Sequence, residues 1–530
     1  MTSWKDMIES RQAALTTLPG YAPFPADNLT WTNYADRIVA DLLTFDDCWF
    51  IDPAAGIKGF RPYVKGTDQW GGATRTREIT ELMAMMDVLG PLFRYLQLNP
   101  NAERQALVDE FIGELPKFYN AAVKQSPNRP DNTHHDSWYF MENAVLKYGH
   151  LFMISEAEVL AESTFGNLGS AIDMTHRFKG LFPQFVSLAD QPITRRNTQN
   201  YSTAGLLAYA LITATQLTGD SAYLKEAEEA LLAMRAVDDP RQLIYEPQEL
   251  TAAAAAAAQL IQYADQLGST TDFVQLAQDF FYAQMQMLYT DGGKIDLDGF
   301  QPVKSEWLPP TWRDGLFVPY YNPVESGGIN APAFKENFEA VMWWVDYLKV
   351  MVKQPGFVAT DALKVLNLNR IKNFYFFSPN IPDAWEREYG ATSLQYIPYE
   401  DIDYYDVRDH EDESVRKLAG YNGKEIYGAG EGLCAYFLFE ALGKASDGNA
   451  MIVNLNTFDK TYPPEPENRA FLVFNPHARE AALTFELTHL DAPYTLFVDA
   501  TQHGHYQPGE SFTLRLPSNG SAVITLEGNP

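Results

Sequence analysis

A chain of 530 residues with 46% hydrophobic and 21% charged residues can bury a large core and is too apolar to remain disordered. Acidic residues number 69 against 40 basic, a net charge of −29. That balance excludes nucleic acid and anionic membrane surfaces as expected partners, because both require a basic footprint.

Cys48 and Cys434 are the only cysteines, with neither a disulfide framework nor a metal-ligand spacing. The first residues, Met1 to Arg11, read as an amphipathic helix without the apolar segment of a secretion signal, and no apolar run is long enough to span a bilayer. A cytoplasmic location is the expectation. The oligomeric state is not legible.

In chain order, the first strongly periodic segment is a helix over 32–46, with Tyr34, Ile38, Val39, Leu42 and Leu43 on its apolar side. A loop rich in Gly and Pro follows and carries Trp70, Arg75 and Arg77 into the next helix. Trp70 and Arg75 are ligand-contact candidates there, against the plainer reading of a long surface loop. Helices are then expected over 77–97, 102–124, 133–152, 168–181, 200–217, 221–235, 249–267 and 271–289. Two joints are short, with Gly219 and Gly268 as helix stops, and short joints make antiparallel hairpins. The run Ala252 to Ala258 reads as a helix face packed tightly on a neighbour.

The helix over 133–152 opens on Asn132-Thr-His-His-Asp-Ser-Trp-Tyr139. On such a helix His135 and Tyr139 share one face and Asp136 lies on the next. Two readings stand: His134, His135 and Asp136 act on a bound group, or they solvate an exposed helix start. Adjacent histidines lack the spacing of a zinc helix, so no metal is expected, and no cofactor.

Beyond residue 290 the chain turns irregular and aromatic, with Trp312, Tyr320, Tyr321 and Glu325. A helix over 333–354 follows, then a second aromatic and acidic loop over 375–427, then a last helix opening at Gly430-Glu431. Past the Pro463-Pro-Glu-Pro466 linker come alternating segments at 470–474, 482–487, 494–498, 512–516 and 522–526, which read as a small antiparallel β-sandwich. The chain therefore divides into a helical domain, 1–455, and a β domain, 456–530.

Serial hairpins such as the Thr218-Gly-Asp-Ser-Ala-Tyr-Leu224 joint, followed by a C-terminal sandwich, resemble the (α/α)-toroid carbohydrate-active enzymes. These include glycoside hydrolases and polysaccharide lyases, and sugar epimerases share the toroid without the sandwich. The resemblance is architectural, and fold alone does not give function. It implies an oligosaccharide substrate held in the toroid cup, with Trp70, Arg75, Trp312, Tyr320 and Tyr321 against sugar rings.

Two chemistries follow from the residues. Hydrolysis needs paired carboxylates, for which Asp136, Glu325 and Glu431 are the candidates, with Glu246 and Glu249 more simply first-turn acids. Glu431 has its own plain reading, a charge complementing the helix dipole. β-Elimination on a uronide needs a neutraliser, a base and an acid, for which Asn132, His134 or His135, and Tyr139 or Tyr201 stand, near Arg196. Hydrolysis is placed slightly ahead, and a non-catalytic glycan-binding protein or an epimerase remains a third class.

Overall fold

The computed structural model describes residues 3–22, 30–64, 80–130, 134–136, 158–180, 182–183, 185–187, 199–290, 313–318, 332–380, 394–400, 424–459 and 461–528. Its helices are α1 (Trp4–Thr17), α2 (Trp31–Thr44), α3 (Leu82–Leu98), α4 (Ala102–Glu114), α5 (Glu158–Phe178), α6 (Thr203–Thr218) and α7 (Ala222–Arg235). They continue as α8 (Pro247–Leu260), α9 (Phe273–Gln284), α10 (Phe334–Met342), α11 (Trp344–Met351), α12 (Thr360–Lys372) and α13 (Ile426–Phe439).

Two kinds of helix are present. In α3, α8, α10 and α13 nearly every residue is buried, whereas α7 buries only the stripe Leu224, Ala227, Ala230, Leu231 and Met234. A helix apolar on all sides belongs inside, and a one-sided helix belongs on the outside of a core. The packing agrees: α3, α13, α10, α8 and α6 form a continuous arc, each touching the next. Behind them lie α4 on α3, α2 on α13, α12 on α10, α9 on α8, and α5 and α7 on α6. This is an (α/α) toroid of helix hairpins. Between α3 and α6, residues 131–133, 137–157, 181, 184 and 188–198 lie outside the described residues.

Small residues set the close approaches. Gly205 at the start of α6 sits where a Cβ would meet Ala253 Cβ at 2.7 Å, so the alanine run of α8 is a tight helix–helix face. The C-caps Gly219 and Gly268 have φ of +75° and +60°, left-handed values that suit glycine, and turn α6 into α7 and close the short helix after α8.

Contacts between helix starts show that the inner helices run the same way. Gly205 of α6 abuts Ala253 of α8, Phe334 of α10 abuts Gly428 of α13, and Gly430 of α13 abuts Asp87 of α3. Five inner N-termini therefore face one end of the toroid.

The C-terminal strands are β1 (Gly443–Ala445), β2 (Met451–Asn454), β3 (Ala470–Phe474), β4 (Ala481–Leu487), β5 (Tyr494–Val498), β6 (Thr501–Tyr506), β7 (Ser511–Leu516) and β8 (Ser521–Gly528). They pair antiparallel in a five-stranded sheet ordered β2-β3-β8-β5-β6 and a three-stranded sheet ordered β7-β4-β1. Tyr506 meets Phe512 across the two sheets, ring centroids 5.9 Å apart, over alternating buried positions of β7 such as Phe512, Leu514 and Leu516. Strand pairing reaches back to Gly443, so β1 and β2 lie ahead of residue 456 and follow directly on α13.

Two sequence expectations are corrected. His134–Asp136 is not the first turn of a helix but a strand antiparallel to Phe185–Ser187, with His134 opposite Ser187, His135 opposite Val186 and Asp136 opposite Phe185. The helical face that was to join His135 to Tyr139 therefore does not exist at this point, because strand residues alternate instead. Helix α13 begins at Ile426 rather than Gly430. The glycines of Tyr427-Gly-Ala-Gly-Glu431 are helical and admit the neighbouring helices: a Cβ at 428 would stand 2.7 Å from Phe334 Cδ1.

Among the described residues no helix is long and apolar enough to cross a membrane.

Candidate functional site at the inner-helix N-termini

Each inner helix carries polar groups in its first two turns within an otherwise apolar sequence. They are Asp87 in α3, Tyr427 and Glu431 in α13, Lys335, Glu336 and Glu339 in α10, Gln248 and Glu249 in α8, and Thr203 in α6 behind its N-cap Ser202. Because the N-termini point to one end, these side chains gather there. Lys335 is the hub. Its Nζ lies 2.6 Å from Glu339 Oε2, one turn along the same helix, and 4.0 Å from Asp87 Oδ2 on α3. It also stands 5.6 Å from the centroid of the Tyr427 ring. Tyr427 donates its hydroxyl to Glu81, the N-cap of α3, and Glu81 lies 3.6 Å from Arg129. Glu431 is one turn beyond Tyr427 on the same face of α13.

Asp87, Glu339 and Glu431 are no more than 1% exposed, and Lys335 is 4% exposed. Burying such groups is expensive, and an apolar set of similar volume would serve stability as well. The parallel helix N-termini offset part of the cost for carboxylates in the first turns, such as Glu336 and Glu249. A buried charge cluster beyond what packing requires makes this end of the inner helices the candidate site.

Glu336 adds a second electrostatic feature. Burial, with further contributions from the carboxylates of Glu400 and Glu339, outweighs Lys335 and raises its pKa to about 7. Its Oε2 has no hydrogen-bond partner among the described residues. Glu400 in turn accepts a 3.3 Å hydrogen bond from the Tyr63 hydroxyl.

A second polar contact lies further along these helices, between α6, α8 and α11. Gln259 Nε2 donates to Asp346 Oδ2 at 3.1 Å, Tyr209 donates its hydroxyl to the same oxygen, and the Tyr209 and Trp343 rings meet edge to face at 4.3 Å. Burial raises the Asp346 pKa there.

Of the residues expected from sequence, Glu431 is buried in the second turn of α13, one residue past the Gly430 contact with Asp87, where a role in complementing the helix dipole from the first turn no longer applies. Glu249 is buried and accepts hydrogen bonds from Ser202 and from Thr203 Oγ1 (3.2 Å), which ties the start of α8 to the start of α6. Tyr201 is half-buried against the core just before α6. His134, His135 and Asp136 are placed by their backbone alone, in the strand described above. Asn132, Tyr139, Trp70, Arg75, Arg196, Trp312, Tyr320, Tyr321 and Glu325 lie outside the described residues.

Sequence reasoning missed Asp87, Lys335, Glu336, Glu339 and Gln248. A signal was present: Asp87 is a lone acid in the apolar run Met83-Ala-Met-Met-Asp-Val-Leu89, and Lys335 and Glu339 hold the spacing of a helical ion pair. Among the described residues, one set has metal-ligand spacing: His176, Glu226 and Glu229 bring their donor atoms within 4.8 Å of one another. It lies on the outer helices α5 and α7, away from the cluster, and His176 Nε2 is already 2.8 Å from Glu226 Oε2.

No family model and no curated protein matches the sequence. Among solved structures, a D-mannose isomerase is 13% identical with a TM-score of 0.43, covering 78% of this chain and 98% of its own. A family 76 glycoside hydrolase from a bovine Bacteroides thetaiotaomicron strain is 10% identical with a TM-score of 0.43, covering 77% of each chain. A cellobiose 2-epimerase from Spirochaeta thermophila DSM 6192 is 13% identical with a TM-score of 0.41, covering 76% of this chain and 96% of its own. Overlaps this loose transfer neither a site nor an activity. The chain is similar to these enzymes in architecture, at low sequence identity.

Proposed function

We propose that the chain is a carbohydrate-active enzyme that hydrolyses glycosidic bonds in oligosaccharides with a pair of carboxylates. The observation that carries this reading is the buried pair Asp87 and Glu339 on Lys335, with buried Glu431 on the adjoining helix α13 and a Glu336 whose pKa is raised to about 7. Glycoside hydrolysis needs one carboxyl group that holds a proton near neutral pH and one that is ionised. Glu336 takes the first role and protonates the leaving oxygen. Glu431, on the facing helix α13, is the carboxylate that works opposite it. Lys335 keeps the anionic partners charged, and Asp87 and Glu339 hold Lys335 in place.

Asp136 and Glu325 remain the alternative carboxylates, with His134, His135 and Tyr139 as positioning or proton-transfer groups. Trp70, Arg75, Trp312, Tyr320 and Tyr321 are the proposed sugar contacts. β-Elimination is the second reading, because Lys335 is already paired with two carboxylates and Asn132, the neutraliser that reading would use, lies outside the described residues.

The test is incubation with a mixed panel of neutral and uronic oligosaccharides, following new reducing ends together with the absorbance of an unsaturated uronide. Reducing ends alone, lost by roughly a hundredfold or more in Glu431→Gln and Glu336→Gln, support hydrolysis. A rising unsaturated product would replace the reading with a lyase. A changed sugar without new reducing ends would replace it with an isomerase or epimerase.

A further inference from the structure

Gln248 is the second residue of α8, wholly buried at the active end of the toroid, and neither its Oε1 nor its Nε2 has a hydrogen-bond partner among the described residues. A buried primary amide with both atoms unpaired is costly, and a leucine or methionine would fill the same volume without that cost. Its orientation follows from the helix. Gln259 lies about three turns further along α8 on the same face, and its amide reaches Asp346 of α11. The residues between them on that face, Ala252 and Ala255, are methyl groups that leave the space before Gln248 unfilled from its own helix.

We infer that Gln248 recognises a neutral sugar ring by pairing with two adjacent hydroxyls, and that the site discriminates against uronates. The inference rests on the sugar-cleavage reading for its ligand class. A primary amide offers an acceptor beside a donor, and a vicinal diol offers the complement: one hydroxyl donates to Oε1 while its neighbour accepts from Nε2. A carboxylate supplies acceptors alone and leaves Oε1 facing lone pairs. Charge points the same way: Asp87 and Glu339 hold the Lys335 ammonium between them, so among the described residues of the cluster an added uronate meets carboxylates and a lysine that is already paired.

The experiment is thermal melting and calorimetric titration of the full chain with D-mannose, D-glucose and cellobiose, and in parallel with D-glucuronate and D-galacturonate. At least one neutral sugar is expected to bind and raise the melting temperature, with the uronates about tenfold weaker or more. Gln248→Leu is expected to melt no lower than the parent without sugar, since no bond to the described residues is lost, and to bind the neutral sugar about tenfold more weakly. That combination separates recognition from a structural role, which would lower the melting temperature. If the leucine variant does not fold, Gln248→Glu keeps the shape, removes the donor and should lose the same affinity. Equal or tighter uronate binding, unchanged neutral-sugar affinity in the variants, or no binding of any neutral sugar overturns the inference. Binding is read without turnover. Neutral-sugar binding through Gln248 with no new reducing ends would sink the cleavage reading and leave the inference standing. Cleavage of neutral oligosaccharides undiminished by Gln248→Leu would do the reverse.

Discussion

Gly430 of α13 rests directly on the backbone of Asp87 in α3: a Cβ at 430 would stand 2.8 Å from the Asp87 carbonyl carbon and overlap its oxygen. The contact brings two acids to one level, because Asp87 itself makes it and Glu431 is the next residue along α13. Backbone cannot yield as a flexible side chain can. Gly430→Ala is therefore expected to cost about 3 kcal/mol, the upper part of the range for overpacking, read as a lower denaturant midpoint. An unchanged midpoint would mean that the helices slide apart freely and that their spacing does not fix the site.

The Lys335 ammonium lies between Asp87 and Glu339, 4.0 Å from the first and 2.6 Å from the second. Lys335→Met leaves both carboxylates buried without that cation, which is expected to cost about 3–5 kcal/mol at neutral pH. Adding Glu339→Leu removes one half of the stranded pair, so the double variant should regain part of the loss. If the two changes simply add, the ion pair is not the stabilising unit.

The hairpins were legible because their signals are local. Gly219 and Gly268 adopt the left-handed conformation that a helix stop requires, and the alanine run could only be a tight face. What failed was tertiary in origin. Glycines 428 and 430 serve close helix packing, yet the same letters describe a turn, so Glu431 was placed at a helix start instead of inside one. Helix α12 was not read at all, since its polar residues show no apolar stripe. Those residues are buried and spend their donors on distant backbone: Asn367 on Gly20 O at 2.7 Å, Lys364 on Leu15 O at 3.3 Å and Arg370 on Gly448 O at 2.9 Å. The strand at His134–Asp136 depends on a partner at 185–187 that no local pattern announces.

Arg94 joins the helical and β parts of the chain. Fully buried in α3, it donates to Thr457 O and, at 2.9 Å, to Asp459 O, with its guanidinium 4.5 Å from the Tyr462 ring centroid. Burial lowers its pKa to about 10, still protonated at any pH of interest. Arg94→Leu strands two carbonyls at about 1–3 kcal/mol each. The β strands are expected to loosen first, seen as earlier proteolysis in the C-terminal part or a second melting step. A single unshifted transition would show that the sheets are held by apolar contact alone.

Glu336 makes stability depend on pH with a definite sign. Its pKa rises from 4.5 to about 7 on folding, chiefly through burial, so between those values the folded state keeps a proton that the unfolded state has released. Stability from this group is fully present below about pH 4.5 and is lost as pH rises to about 7, a change on the order of 3 kcal/mol. Glu336→Gln has no proton to release, so its unfolding free energy should lack that slope across the same window. The proposed acid role gives the matching kinetic expectation: kcat/KM of the parent falls above about pH 7, where Glu336 ionises. Denaturant titrations at pH values across this window, on parent and variant together, measure the first effect without any substrate. A slope that survives the substitution would assign it to another group and remove Glu336 as the proton donor.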